Sequence, residues 1–232
     1  MRTINQLLTV RAQDLNGIAA EVTDVSSPFA DLVLDGALSE IDAASGNRFV
    51  DLSSTSLFSP LINFTAGATG STADVTITGL DQYGHPQTEV VTMPGPSANV
   101  SATKIFSRIN QLSIDDAYTN LQVGIRDEVD QFGKWVVFDT YANPFKVMLD
   151  LNEVTDGSTL TVELTSDPDL WVPGSNFAVD TYDAVSPFAA GVVASQSDEL
   201  AKGPFLAARL RHTAGTAGKW RARFVQSGGG FR

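Results

Sequence analysis

Asp81, Gln82, Tyr83, Gly84 and His85 bring an acid, an amide, a phenol and an imidazole into five consecutive positions, a set that could ligate a metal or move a proton. The flanks give the stretch a different meaning. Asp74-Val75-Thr76-Ile77-Thr78 alternates polar and apolar residues, and Thr88-Glu89-Val90-Val91-Thr92 is β-branched and partly alternating, the period of half-buried strands. Asp81, Gly84 and Pro86 are residue types that close tight connections. The spacing therefore predicts a β-hairpin in which Gly84 supplies a backbone angle that other residues reach poorly. No second histidine or carboxylate cluster lies nearby in sequence to complete a metal site.

The rest of the chain offers little conventional active-site chemistry. His85 and His212 are the two histidines, and neither belongs to a nucleophile motif. A hydrolytic triad needs a histidine held between an acid and a nucleophile, and G-x-S-x-G, H-E-x-x-H, P-loop and dinucleotide fingerprints are all absent. Zero cysteines removes disulfides, thiolate metal sites and a cysteine nucleophile together. Carboxylates group at Asp115-Asp116, at Asp167-Pro168-Asp169 and at Asp180 with Asp183. Such groups could form a glycosidase-like pair or hold calcium, yet none has the D-x-[DN]-x-[DN]-G spacing, and they read as solvated turn acids. Trp135, Trp171, Trp220 and the four tyrosines could line a carbohydrate groove, or serve as core and interface anchors. The expectation is a protein without enzyme activity, cofactor or metal.

Charge is more informative. The 232 residues carry a net charge of −12, which argues against coating nucleic acid, because phosphate binding needs a basic surface. No run of 18 apolar residues is present to cross a membrane, and the N-terminal MRTINQLLTVRAQDLNG lacks the apolar core of a secretory signal. After Glu199 there are no acids, while Lys202, Arg209, Arg211, Lys219, Arg221, Arg223 and Arg232 supply seven positive charges. Residues 1–201 hold 8 basic against 27 acidic residues, a balance of −19. Either the acidic body and basic tail pair within the chain, or a basic edge meets an acidic neighbour.

Short apolar runs separated by Gly, Ser, Asp and Pro recur along the chain, the pattern of a sandwich or barrel. Strands are expected at 31–34, 47–52, 61–65, 74–78, 88–92, 111–114 and 121–125, then at 135–139, 146–151, 160–165, 191–194, 205–212 and 219–226. Residues 102–109 fit either a helical face or a bent strand. The fold class is all-β: two β-sandwich or jelly-roll-like domains at 36–126 and 131–232, divided near the acidic 127–130, with 1–35 as an extended or partly helical N-terminal arm. Asp130-Gln131-Phe132-Gly133 echoes Asp81-Gln82-Tyr83-Gly84, a hint of two similar units. At the C-terminal end, 209–212 and 219–224 both alternate around a Gly-rich connection and read as a hairpin. That hairpin would put Leu210, Trp220, Ala222 and Phe224 on one face and Arg209, Arg211, Lys219, Arg221 and Arg223 on the other. A row of five cations needs acids opposite it, and these five are the candidate interaction residues.

Asn47-Arg48-Phe49-Val50-Asp51-Leu52, Val75-Thr76-Ile77-Thr78-Gly79-Leu80-Asp81-Gln82-Tyr83-Gly84 and Thr88-Glu89-Val90 together resemble small β-rich virion structural proteins of tailed bacteriophages. Lys104-Ile105-Phe106 and Val123-Gly124 fit the same pattern, and the second half resembles another common phage pattern in Tyr141-Ala142-Asn143-Pro144-Phe145, the Val-Glu-Leu-Thr at 162–165, and the closing 209–211 and 225–228. The resemblance spans about 45–226, rests on turn and strand residues, and brings no catalytic residue with it. It implies a capsid decoration (cement) protein in the virion, a homo-oligomer bound to the major capsid protein or other virion proteins. A neck or tail component is the alternative within virions, and a carbohydrate-binding β-sandwich module is the alternative outside them. Fold alone does not decide among these.

Overall fold

A computed structural model describes residues 2–22, 30–52, 58–66, 72–93, 95, 97–116, 118, 120–125, 131–142, 144–155, 158–166, 188, 191–200, 205–215 and 218–227, and the statements below concern these. The acidic stretches at 127–130, 167–169 and 180–183, Trp171 and the tail from 228 lie outside them. The described residues are all-β and contain no helix. In chain order the strands are β1 (Arg2–Thr9), β2 (Asp14–Val22), β3 (Ala30–Leu32), β4 (Ser39–Ile41), β5 (Arg48–Asp51), β6 (Ser59–Pro60) and β7 (Asn63–Thr65). There follow β8 (Asp74–Leu80), β9 (Pro86–Thr92), β10 (Asn99–Ser101), β11 (Arg108–Ile114), β12 (Leu121–Ile125), β13 (Gln131–Phe132) and β14 (Val136–Val137). The last are β15 (Lys146–Thr155), β16 (Ser158–Thr165), β17 (Gln196–Glu199), β18 (Ala207–Gly215) and β19 (Lys219–Ser227).

The chain divides into two compact units. The central unit comprises Ala12–Ser54 and Ser59–Asp127; the terminal unit comprises Met1–Arg11, Thr55–Phe58 and Glu128–Arg232. An N-terminal arm of 1–35 is not what forms. The first residues are extended, but β1 is hydrogen-bonded to β19 in the terminal unit and β2 to β12 in the central unit. The reason is non-local: both strands find partners about 100 residues away or more, which no local period announces.

In the central unit one sheet has the order β10-β7-β12-β2, and the other β4-β5-β11-β8-β9 with β3 also on β11. Ile18, Phe64, Leu121 and Val123 from the first sheet share one apolar cluster with Val50, Val75, Ile77, Val91, Ile109 and Leu112 from the second. Two sheets closing on one core is the arrangement of a β-sandwich. The β8–β9 hairpin forms in the expected place, with Thr78 opposite Thr88 and Leu80 opposite Pro86. Asp81 organises its turn: Oδ1 accepts the amides of Tyr83 at 2.8 Å and His85 at 2.9 Å, and Oδ2 lies 3.2 Å from His85 Nδ1. Gly84 sits at φ +88° with open space where a side chain would stand, so strain and not crowding selects glycine. The Ser107 hydroxyl donates to the Asp81 carbonyl. The acid–imidazole pair is thus used to hold a turn.

The segment before β11 is neither helix nor strand until Arg108. Its backbone is claimed by β9: the Glu89 carboxylate accepts Thr103 N–H at 2.6 Å and Lys104 N–H at 2.9 Å, while Gln87 Nε2 donates to the Ile105 carbonyl. A helix would need those amides for itself. The Asp-Gln-aromatic-Gly echo has no structural counterpart either, since Asp81–Gly84 is a turn and Gln131–Phe132 is strand β13.

In the terminal unit one sheet has the order β1-β19-β15-β17. In the other, β18 is central, with β16 along one edge and β13 then β14 along the opposite edge. Leu149, Leu151, Trp220, Ala222 and Phe224 of the first sheet meet Leu160, Val162, Leu164, Ala208 and Leu210 of the second in a single core, again a sandwich. The expected β18–β19 hairpin does not form. Consecutive strands part into facing sheets because both edges of each are already occupied. Trp220 Nε1 donates to Ser158 Oγ at 2.6 Å across this crossing, and a Cβ on Gly218 would stand 2.0 Å from the same oxygen. Only glycine lets the chain pass there.

The turn and the core each make a measurable claim. Gly84→Val should lower unfolding free energy by roughly 1–3 kcal/mol in urea titration, whereas His85→Ala should cost no more than about 1 kcal/mol, since it removes one exposed contact. Tyr118 is almost fully buried, its hydroxyl has no hydrogen-bond partner among the described residues, and burial raises its pKa above the usual 10.0. The unfolded chain then ionises first, so stability holds below the ordinary tyrosine pKa and falls as pH rises through it toward the raised value. Tyr118→Phe should match or exceed the wild type by up to about 1 kcal/mol at neutral pH and blunt the alkaline loss. A loss of stability in that variant would show that the hydroxyl is bonded after all.

Candidate interaction surface

The five cations expected on one hairpin face lie on the outer faces of two different sheets. Arg209 and Arg211 project from β18; Lys219, Arg221 and Arg223 project from β19, opposite the inward Trp220, Ala222 and Phe224. The single row of five is therefore not formed. The apolar residues assigned to the core face do all enter one core, from opposite sheets.

The β18 cations are engaged internally by one shared carboxylate. Arg209 is only 5% exposed, and its register neighbour across the ladder is Glu163 on β16. Arg209 Nε and Nη2 both reach Glu163 Oε2 at 2.6 Å, and Arg211 Nη1 reaches Oε1 at 3.2 Å. The Arg209 guanidinium also lies 4.4 Å from the Phe132 ring centroid and 4.5 Å from that of Trp135. Aromatic faces are negative, so a cation placed among them loses less by leaving water. This cluster is internal support for the sheet. Glu163 is legible as the one charge in the strand Leu160-Thr161-Val162-Glu163-Leu164-Thr165, an outward position that calls for a cation beside it.

On β19, Arg221 and Arg223 are exposed and Lys219 is half-buried. Arg223 Nη2 meets Asp150 Oδ2 at 2.8 Å across the β15 ladder, an exposed pair of small net worth. Arg221 is exposed and has Leu7 and Asn152 as its cross-strand neighbours. Neither Arg221 nor Lys219 has an ion-pair partner among the described residues. Arg221 and Arg223 border an open depression of about 590 Å³, with Thr3, Asn5, Gln6 and Leu7 of β1 on its other side. The arrangement suits binding of carboxylates more than chemistry on them.

A second exposed feature lies between β14 and β15. Tyr141 is 95% exposed, yet its turn is held firmly: Asp139 Oδ1 accepts the Tyr141 amide, and buried Gln226 bonds both the N–H and the C=O of Asp139. An aromatic presented on a fixed turn is well suited to anchor a contact, because little backbone freedom remains to be lost.

His212, the second histidine, lies within β18 and is fully buried, its ring 6.3 Å from that of Phe58. Asp115 is exposed, and its carboxylate caps the Asp74 amide at 2.7 Å. Trp135 and Trp220 are buried. No group of three or more metal-ligating side chains is found among the described residues. Compared with protein families, curated proteins and solved structures, the chain matches none.

The buried cluster yields a sharp contrast in cost. Glu163→Gln leaves Arg209 charged and buried, and should destabilise by about 3–5 kcal/mol in urea unfolding. Asp150→Asn, at the exposed pair, should change stability by less than about 1 kcal/mol. Equal costs would contradict the assignment of one pair to the interior and the other to the surface.

Proposed function

We propose that the protein is a non-enzymatic structural protein of a tailed-phage virion, a capsid decoration protein that binds neighbouring subunits and the major capsid protein. The resemblance over about 45–226 supports this reading, and the all-β sandwich architecture is compatible with it. The observation that carries it is the outer face of β19, where Arg221 lacks an acidic partner among the described residues beside an open depression. An exposed cation with no acid beside it among the described residues is a surface for recognition. Decoration of a shell works by repetition: each contact is modest, and many copies on one lattice multiply it through avidity. Charge complementarity would set register and encounter rate, with Tyr141 as a rigid anchor in the same unit.

The test is binding to bare shells by cosedimentation. The double variant Arg221→Glu, Arg223→Glu should keep the wild-type circular dichroism spectrum and bind about tenfold more weakly or worse. Wild-type binding should also fall as salt rises, since exposed charges are screened over about 10 Å at 0.1 M. Undiminished binding by the variant would move the interface elsewhere.

A further inference from the structure

The two units differ sharply in charge. The central unit contains 14 acidic and 4 basic residues, a balance of −10, and the terminal unit 13 acidic and 11 basic residues, a balance of −2. In the central unit Asp31, Asp35, Glu40, Asp51, Asp115 and Asp116 are exposed. Its described cations are turned to local use: Arg48 donates to the Leu34 carbonyl, Lys104 to the Thr88 carbonyl, and Arg108 stacks 3.9 Å over Phe49 and bonds Asn110. In the terminal unit the opposite holds on one face, where Lys219, Arg221 and Arg223 alternate along β19 and only Arg223 meets an acid among the described residues.

We propose that the Lys219–Arg221–Arg223 face of one copy docks against the acidic central unit of a second copy. This rests on the same cationic face as the shell contact, but not on the identity of any shell. The partner is argued from charge complementarity: a surplus of ten negative charges on one unit meets a face on which Lys219 and Arg221 find no acid among the described residues of their own chain. Two different patches are joined, so a single contact leaves the cationic face of one copy and the acidic unit of the other free. Such a contact propagates into a line or closes into a ring. Each copy carries −12 overall, so long-range repulsion opposes association at very low ionic strength. The attraction acts over a few ångströms and survives until the screening length falls to that range. Association should therefore be strongest near about 0.1 M salt and be lost toward about 1 M, where the screening length is about 3 Å.

Sedimentation velocity of the purified chain alone, across concentration and salt, tests this. The wild type should show reversible, concentration-dependent association that high salt abolishes. Arg221→Glu with Arg223→Glu should stay monomeric, or associate at least about tenfold more weakly, with unchanged circular dichroism. That variant keeps its acidic unit, so in excess it should cap wild-type copies and shorten their assemblies to dimers. A symmetric contact between like patches would not show capping. A wild type that stays monomeric at every concentration overturns the proposal, as does a variant that associates like the wild type. Arginine-dependent capture of a fluorescent oligonucleotide without self-association overturns it in favour of nucleic acid. Shell binding by a chain that is monomeric alone overturns only the copy-to-copy contact; self-association without shell binding removes only the shell reading.

Discussion

β19 has no free edge. β1 occupies one side from Arg2 opposite Gln226 to Thr9 opposite Lys219, and β15 occupies the other from Lys146 opposite Ser227 onward. A strand held on both sides cannot slip, because a one-residue shift would turn Trp220, Ala222 and Phe224 outward and the cations inward. The ladder therefore determines which residues become core and which become surface. It also denies β19 to its sequence neighbour β18, which is flanked by β16 and by β13 with β14. Two basic strands that run consecutively are separated into facing sheets, and their charges point away from each other through the core between them. That separation avoids the repulsion a single cationic face would carry.

The same separation divides the cations by role. Burying Arg209 is tolerable only with Glu163 on the guanidinium and aromatic rings beside it, because an unpaired buried charge costs several kcal/mol. Once made, this cluster has little left to offer a partner. Arg221 keeps its hydration and its reach, so its charge is available at short range to another molecule. Similar residues on two consecutive alternating strands thus acquire different functions from the depth at which each strand lies. Residue type alone carries no such information.

What could be read from the sequence was whatever had a local cause. β8, β9 and the turn between them were legible because alternation, a turn acid and Gly84 all lie within a single short stretch. β12 and β16 were legible from β-branched apolar runs. β1 and β2 were not, since β1 has only Ile4, Leu7 and Leu8 as a weak apolar signal and β2 carries Asn16 and Gly17, and both are defined by distant partners. The segment at 102–109 stayed ambiguous because its conformation depends on the Glu89 carboxylate of another strand. The five cations of the interaction candidates were visible from composition and alternation alone, but placing them in one row assumed that neighbours in sequence pair. Edge occupancy decided otherwise.

The terminal unit is discontinuous in sequence, and one side chain joins its pieces. Between Arg11 and Glu128 the whole central unit intervenes, so the terminal unit must bring together pieces that the chain sets far apart. Fully buried Gln131 does this with a two-way clamp: its Oε1 accepts the Arg11 amide and its Nε2 donates to the Arg11 carbonyl, each at 2.8 Å. Within the central unit, Asp14 stands opposite Ile125 where β2 pairs with β12. The entry to and the exit from the central unit are thus held close together twice, once within each unit. An insertion whose ends are adjacent adds little loop-closure cost to the fold that receives it. The central unit needs only its own residues to complete its sheets, whereas β19 cannot acquire both neighbours until β1 and β15 meet from opposite ends of the chain. Sequence separation of this size slows folding, since closure must precede the contacts that reward it. The Gln131 clamp holds the two flanks of the insertion together, so the loop that β1 must close to reach its partners is effectively shortened in the folded chain.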